Sequence, residues 1–138
     1  MSEIFQKQNS TSPVWQVFRK QGQMARFEEI GTIKEFVEYA TKQGSKNAKR
    51  YYCIITKETY RALFQIQQND PNTIRELLDA MQLSFLQSAE YVVRNALIAG
   101  MASNLYYKDV YQLCKKRLQA FGENVGVTSV TNKPPHLK

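Results

Sequence analysis

The chain has 138 residues and a net charge of +7, with a pI near 9.5. That length fits one domain with tails and suffices to bury a core. No run of about eighteen apolar residues is present, so no membrane span is expected. The opening MSEIFQKQNSTS has no apolar centre of signal-peptide length, which points to the cytoplasm. Cys53 and Cys114 stand apart with no CxxC, the pattern of reduced structural thiols. The basic excess is spread over both halves and permits a polyanion partner without requiring one.

Residues 1–11 are polar and read as a loose N-terminal segment. Ser12-Pro13 opens a short helix, with Ser12 as cap and Pro13 in the first helical position, and Gly22 ends it. Trp15, the only tryptophan, serves either to pack this helix onto the body or to anchor a partner. Arg26 to Gly31 reads as a connector. Thr32 caps the next helix with Glu35 three residues on, and Ile33, Phe36, Val37 and Ala40 form its apolar face. Gln43-Gly44 closes it.

Ser45 can cap a further helix through Tyr51 and Tyr52, although Ile54-Ile55 weakens its end. Thr56 then caps another, with Tyr60, Leu63, Phe64 and Ile66 buried and Lys57 and Arg61 exposed.

The longest unbroken stretch runs from Asn72 to Met101, with no proline and no glycine before Gly100. Thr73 and Glu76 have capping-box spacing at its start. Its second half is apolar on two sides, which marks a central helix. Leu86, Ala89, Val93, Ala96 and Gly100 form a row at steps of three and four. Small residues in that row allow either a tight crossing inside one domain or the seam of a homodimer. Surplus apolar area on this helix favours a dimer. After a break at Ser103 to Leu105, Tyr107 to Phe121 is the last helix, with Gly122 as its stop. The tail 127–138 has no periodicity and reads as disordered or extended.

The expected fold is therefore all-α, five or six helices around a long central helix at about 72–101. The helical domain spans 12–126 between loose polar tails.

No catalytic constellation is visible. The only histidine, His136, lies in the tail beside prolines, which leaves no histidine for a triad or a zinc site on a rigid element. No Gly-rich phosphate loop is present. Glu28-Glu29 and the Glu35/Glu38 pair read as solvated carboxylates. We expect no cofactor, no metal and no enzymatic turnover.

The stronger signal is basic. Lys42, Lys46, Lys49, Arg50, Lys57 and Arg61 crowd together with Tyr51, Tyr52 and Tyr60. Helices at 32–43, 45–54 and 57–67 would form a helix-turn-helix-like unit, with the Thr56 helix placed to read a groove. Lysines and arginines would neutralise phosphates, and Tyr51 would add a backbone contact. A charged rim over a helical core is the plainer reading of the same residues.

Two segments carry a family resemblance. Residues 31–64 contain EFVEYATKQGSKNA, and residues 74–121 contain RELLD and YYKDVYQLCKKR. Together they resemble a domain of phage- and prophage-encoded regulatory proteins of the antirepressor-like, Rha, Bro and KilA-associated type. The resemblance implies a small protein acting in the cytoplasm of a bacterial host by binding. It would bind DNA as a homodimer through the basic patch. The alternative is an interaction module that binds a host or phage protein, as an antirepressor or inhibitor, with no DNA contact of its own.

Overall fold

The computed structural model describes residues 13–66 and 78–130. Four α-helices make up nearly all of this: α1 (Pro13–Lys42), α2 (Tyr51–Leu63), α3 (Ala80–Ala102) and α4 (Tyr107–Val125). A single 3-10 turn, Ala48–Arg50, leads into α2. Strands β1 (Phe64–Ile66) and β2 (Thr128–Val130) form one short parallel pair, with Phe64 opposite Thr128 and Ile66 opposite Val130. The all-α expectation holds. Among the described residues the helices number four and not the expected five or six, because segments expected as separate helices are continuous.

The largest difference is α1. It runs 30 residues through Gly22, the expected connector and Thr32. The intervening residues are held by packing: Ala25, Glu29, Thr32 and Ile33 are buried on one face. Tertiary contact outweighs the roughly 1 kcal/mol that each interior glycine costs a helix. Thr32 caps nothing; its hydroxyl donates to the Glu28 carbonyl one turn back, at 3.3 Å. The same arrangement removes Thr56 as a cap, since its hydroxyl donates to Tyr52 O at 2.7 Å. Residues 51–63, expected as the end of one helix and the start of the next, are thus the single helix α2; Ser45 precedes a 3-10 turn, and Phe64–Ile66 is strand. Glu29, expected on a solvated face, is fully buried and ion-paired with Arg26.

Helix ends follow local chemistry where glycine or asparagine can turn left-handed. Gly44 has φ +104°, and Ser45 N donates back to Ala40 O at 3.0 Å, closing α1 after Gln43 as expected. Asn104 has φ +58° and ends α3, with Leu105 N donating to Gly100 O at 3.1 Å. The start of α3 is a capping box on Asp79. Its Oδ1 accepts from Gln82 N at 2.8 Å, and Gln82 Oε1 accepts from Asp79 N at 3.0 Å. The expected capping box of Thr73 and Glu76 lies outside the described residues. Helix α4 passes through Gly122 and stops at Gly126.

Helix α3 lies at the centre, packed against α1, α2 and α4. The core joins Ile33, Phe36 and Ala40 of α1 to Ile55 and Leu63 of α2, Leu83 to Leu97 of α3, and Val110, Cys114 and Leu118 of α4. Trp15 closes one end, its indole N–H donating to the Leu78 carbonyl at 2.8 Å.

The small-residue row is corrected by this packing. Leu86, Ala89, Val93, Ala96 and Gly100 are all buried within a single chain. A Cβ on Gly100 would meet Val110 Cγ1 at 2.8 Å, so the small residue there serves the crossing of α3 with α4. The row is an internal seam and leaves no surface for a second copy.

Candidate nucleic-acid interface

The basic corner is built by the turn between α1 and α2. Schellman-type closure at Gly44 reverses the chain after Lys42, and buried Ala48 plugs the turn into the core. The polar neighbours of Ala48 are forced outward: Lys46, Asn47, Lys49 and Arg50 are all exposed. The α3–α4 loop is then fastened to the same corner. Tyr39 Oη donates to the Leu105 carbonyl, which also accepts from Gln43 Nε2 at 3.2 Å. Tyr107 N donates to Gln43 Oε1 at 2.5 Å.

Those bonds bring the first turn of α4 beside the turn. The result is an open groove of about 310 Å³ lined by Ser45, Lys46, Asn47, Arg50, Tyr51, Ile54, Tyr107 and Lys108. Three cationic side chains from two distant segments share this groove. It also lies at the N-terminal end of α2, where no acidic residue occupies the first turn and no side chain caps the helix. The 3-10 turn before α2 already satisfies the Arg50 and Tyr51 amides, Arg50 N donating to Asn47 O at 3.0 Å, so an anion would be favoured by the positive helix end and the cationic side chains.

Aromatic rings form the floor. Tyr51 packs edge-on against Phe36, with ring centres 4.9 Å apart, and tilted against Tyr111 at 5.3 Å. Tyr107 lies 6.4 Å from Tyr51 on the other side and 4.7 Å from Tyr106. Burial raises the Tyr51 phenol above its ordinary range, and the neighbouring Tyr107 and Tyr106 add to the shift. Tyr106 is raised first by its hydrogen bond with Tyr107. Both shifts favour the neutral hydroxyl at Tyr51 and Tyr106. These two residues offer donors and ring faces, not charge.

Of the residues expected from sequence, Lys46, Arg50 and Tyr51 meet in the groove, and Lys42 and Lys49 are exposed on the same turn. Lys57 and Arg61 lie farther along α2. Arg50, Cys53, Lys57 and Arg61 are all exposed at steps of three and four, forming one stripe leading away from the groove. Arg61 is partly engaged by an ion pair with Glu58. Lys108 and Tyr107 were not anticipated; only the pinning of Leu105 places them there.

The helix-turn-helix geometry is not present. Helix α2 has Ile55, Thr56, Thr59, Tyr60 and Leu63 buried, and Arg26 Nη2 donates to Thr56 Oγ1 at 2.8 Å. A helix so enclosed cannot enter a major groove by its Thr56 face. Among the described residues, no group of three or more His, Cys, Asp or Glu side chains is placed to hold a metal ion, and no helix is long and apolar enough to cross a membrane. His136 lies outside the described residues. No protein-family model, curated protein or solved structure matches this chain.

Proposed function

We propose that this protein is a small regulatory DNA-binding protein of the phage and prophage type, working in the bacterial cytoplasm by binding rather than by turnover. The regulatory part rests on the resemblance of residues 31–64 and 74–121. The binding part rests on one observation: Lys46, Arg50 and Lys108 converge on a groove at the positive end of α2. The overall charge of +7 supports an anionic partner. A phosphate backbone fits this groove better than base edges do. Exposed cations line it, and the Thr56 face of α2, expected to read bases, is buried. Binding should therefore tolerate many sequences, with the exposed stripe of Lys57 and Arg61 extending the contact.

Fluorescence anisotropy with a labelled duplex at 50 and 200 mM salt tests this. Three to five phosphate contacts predict a fall in affinity of roughly 40- to 500-fold between those concentrations. Absence of binding at the lower salt would overturn the reading. Binding without salt dependence would equally remove the basic groove as its cause.

A further inference from the structure

The outer face of α1 carries an apolar strip that none of the described residues covers. Phe27 is 79% exposed, Met24 63% and Val17 54%. These three lie opposite the buried face of Trp15, Ala25, Glu29, Ile33 and Phe36, at steps of seven and three along the helix. Lys20 and Glu28 flank the strip, and with Met24 and Phe27 they border a shallow depression of about 290 Å³. Isolated exposed apolar side chains are ordinary, but a large aromatic ring aligned with two others along one helix face is the form of an interface.

We propose that this face pairs with the same face of a second copy, as an antiparallel helix pair whose two-fold axis passes at Met24. Charge decides the occupant. With the axis there, a residue a given number of places before Met24 meets the residue the same number after it. Lys20, four before, then faces Glu28 of the partner subunit, four after, and Glu28 faces the partner subunit's Lys20. The pairing satisfies both charges twice by symmetry. Val17 of each copy meets Gly31 of the partner subunit, and Gly31 has nothing within 4 Å of where a side chain would begin, so the two backbones can approach. Met24 meets its own symmetry mate. The overlap covers residues 13–35 of each α1, about 35 Å of helix at 1.5 Å per residue. One helix face of that length places the interface at the small end of the specific range, where association is reversible. This pairing is independent of the basic groove and stands or falls separately from DNA binding.

Sedimentation of the full chain from 1 to 200 µM tests it. The expected mass rises from 16.0 kDa to twice that value across the range. Met24→Glu should remain a monomer at every concentration. Lys20→Glu places like charges together at two symmetric points and should weaken association at least ten-fold, as should Glu28→Lys. The double variant K20E/E28K should return to within about three-fold of the unmodified chain, and an equimolar mixture of the two single variants should form mixed dimers. Positions 20 and 28 are separated by two helical turns, so rescue has to arise between chains. All four substituted proteins should keep the helical circular dichroism and melting temperature of the parent at 1 µM, because the positions are on the surface. A monomer at 200 µM overturns the proposal and leaves the strip to a different protein. So does a dimer that Met24→Glu does not disturb. Failure of the double variant to recover overturns the two-fold at Met24.

Discussion

A Cβ placed on Gly122 would stand 2.2 Å from the carbonyl oxygen of Ala62. The two helices, α4 and α2, touch here backbone to backbone, and the obstructing atom belongs to a peptide group that cannot rotate away. Gly122→Ala should therefore destabilise the fold in spite of the better helix propensity of alanine. The overpacking cost of about 1–3 kcal/mol exceeds the propensity gain of up to about 1 kcal/mol. Thermal melting of the variant should show a loss of several degrees. An unchanged or higher melting temperature would mean that α2 and α4 are farther apart than described.

The same contact explains why the sequence misled at this position. Glycine in a helical pattern signals either a stop or a close approach, and the residue itself does not distinguish them. Gly22 and Gly122 look like stops in the sequence, yet both are buried inside continuous helices. Gly44 is a true stop, with φ +104° after Gln43 and before a polar turn. Threonine misled in a parallel way. Thr32 and Thr56 each precede a plausible helix, but both hydroxyls are spent on carbonyls one turn back.

What was legible in the sequence was periodicity. The buried positions Ile33, Phe36, Val37 and Ala40, and Val110, Cys114 and Leu118, follow directly from three-and-four spacing. The basic turn was legible too, since Lys46 and Arg50 share a few residues with nothing acidic between them. Its other wall was not. Lys108 arrives through Tyr39 and Gln43, whose hydrogen bonds to Leu105 span more than sixty residues. Arg26 was likewise invisible: a side chain in an expected connector pairs with Glu29 and reaches Thr56 on another helix.

Trp15 offers a direct check of the end of the core. It is buried, and its indole N–H holds the Leu78 carbonyl. Its fluorescence should be blue-shifted in the folded protein and move to the red on unfolding. Trp15→Phe should keep the fold and cost about 1–3 kcal/mol, because the ring largely remains while a buried carbonyl loses a donor. Emission of the unmodified protein already at the wavelength of water-exposed tryptophan would place this helix end off the body.

Ala96 separates the internal seam from the outer face. It is fully buried in α3. Ala96→Leu should lower the melting temperature through an overpacking cost of about 1–3 kcal/mol and leave the dissociation constant of any dimer unchanged. Measuring melting and sedimentation on one sample tests both halves. A lower mass at unchanged stability would return the α3 row to a seam between chains.

The groove makes a prediction about residues that were and were not expected. Replacing Lys46, Arg50 and Lys108 together with alanine should leave the melting curve intact, since all three are exposed. On a duplex, the logarithmic salt slope should shrink by up to about 0.9 for each phosphate contact removed. Replacing Lys115, Lys116 and Arg117 removes the same number of charges from the later turns of α4 and should change the slope less. Equal effects from the two triple variants would show that net charge, not the groove, governs binding.

Alkaline pH should destabilise the fold from a particular residue. Cys114 is buried on α4, and burial, followed by the charges of Glu29 and Glu58, pushes its thiol from 9.0 up to about 12. Below pH 9 the thiol is protonated in both folded and unfolded chains and contributes nothing to the pH dependence. Between pH 9 and 12 the unfolded chain gives up this proton and the folded chain keeps it. Stability must then fall as pH rises, by up to about 1.4 kcal/mol per pH unit from this group. Tyr111, pushed by burial from 10.0 up to about 12, acts in the same direction above pH 10. Denaturant midpoints measured from pH 7 to 11 should be flat at first and decline above about pH 9. Cys114→Ala should begin its decline nearer pH 10, where the tyrosine takes over. Thiol labelling at pH 8 should modify only Cys53, which is exposed, until denaturant is added. Two fast-reacting thiols in the native protein, or a midpoint that rises above pH 9, would contradict the burial of Cys114.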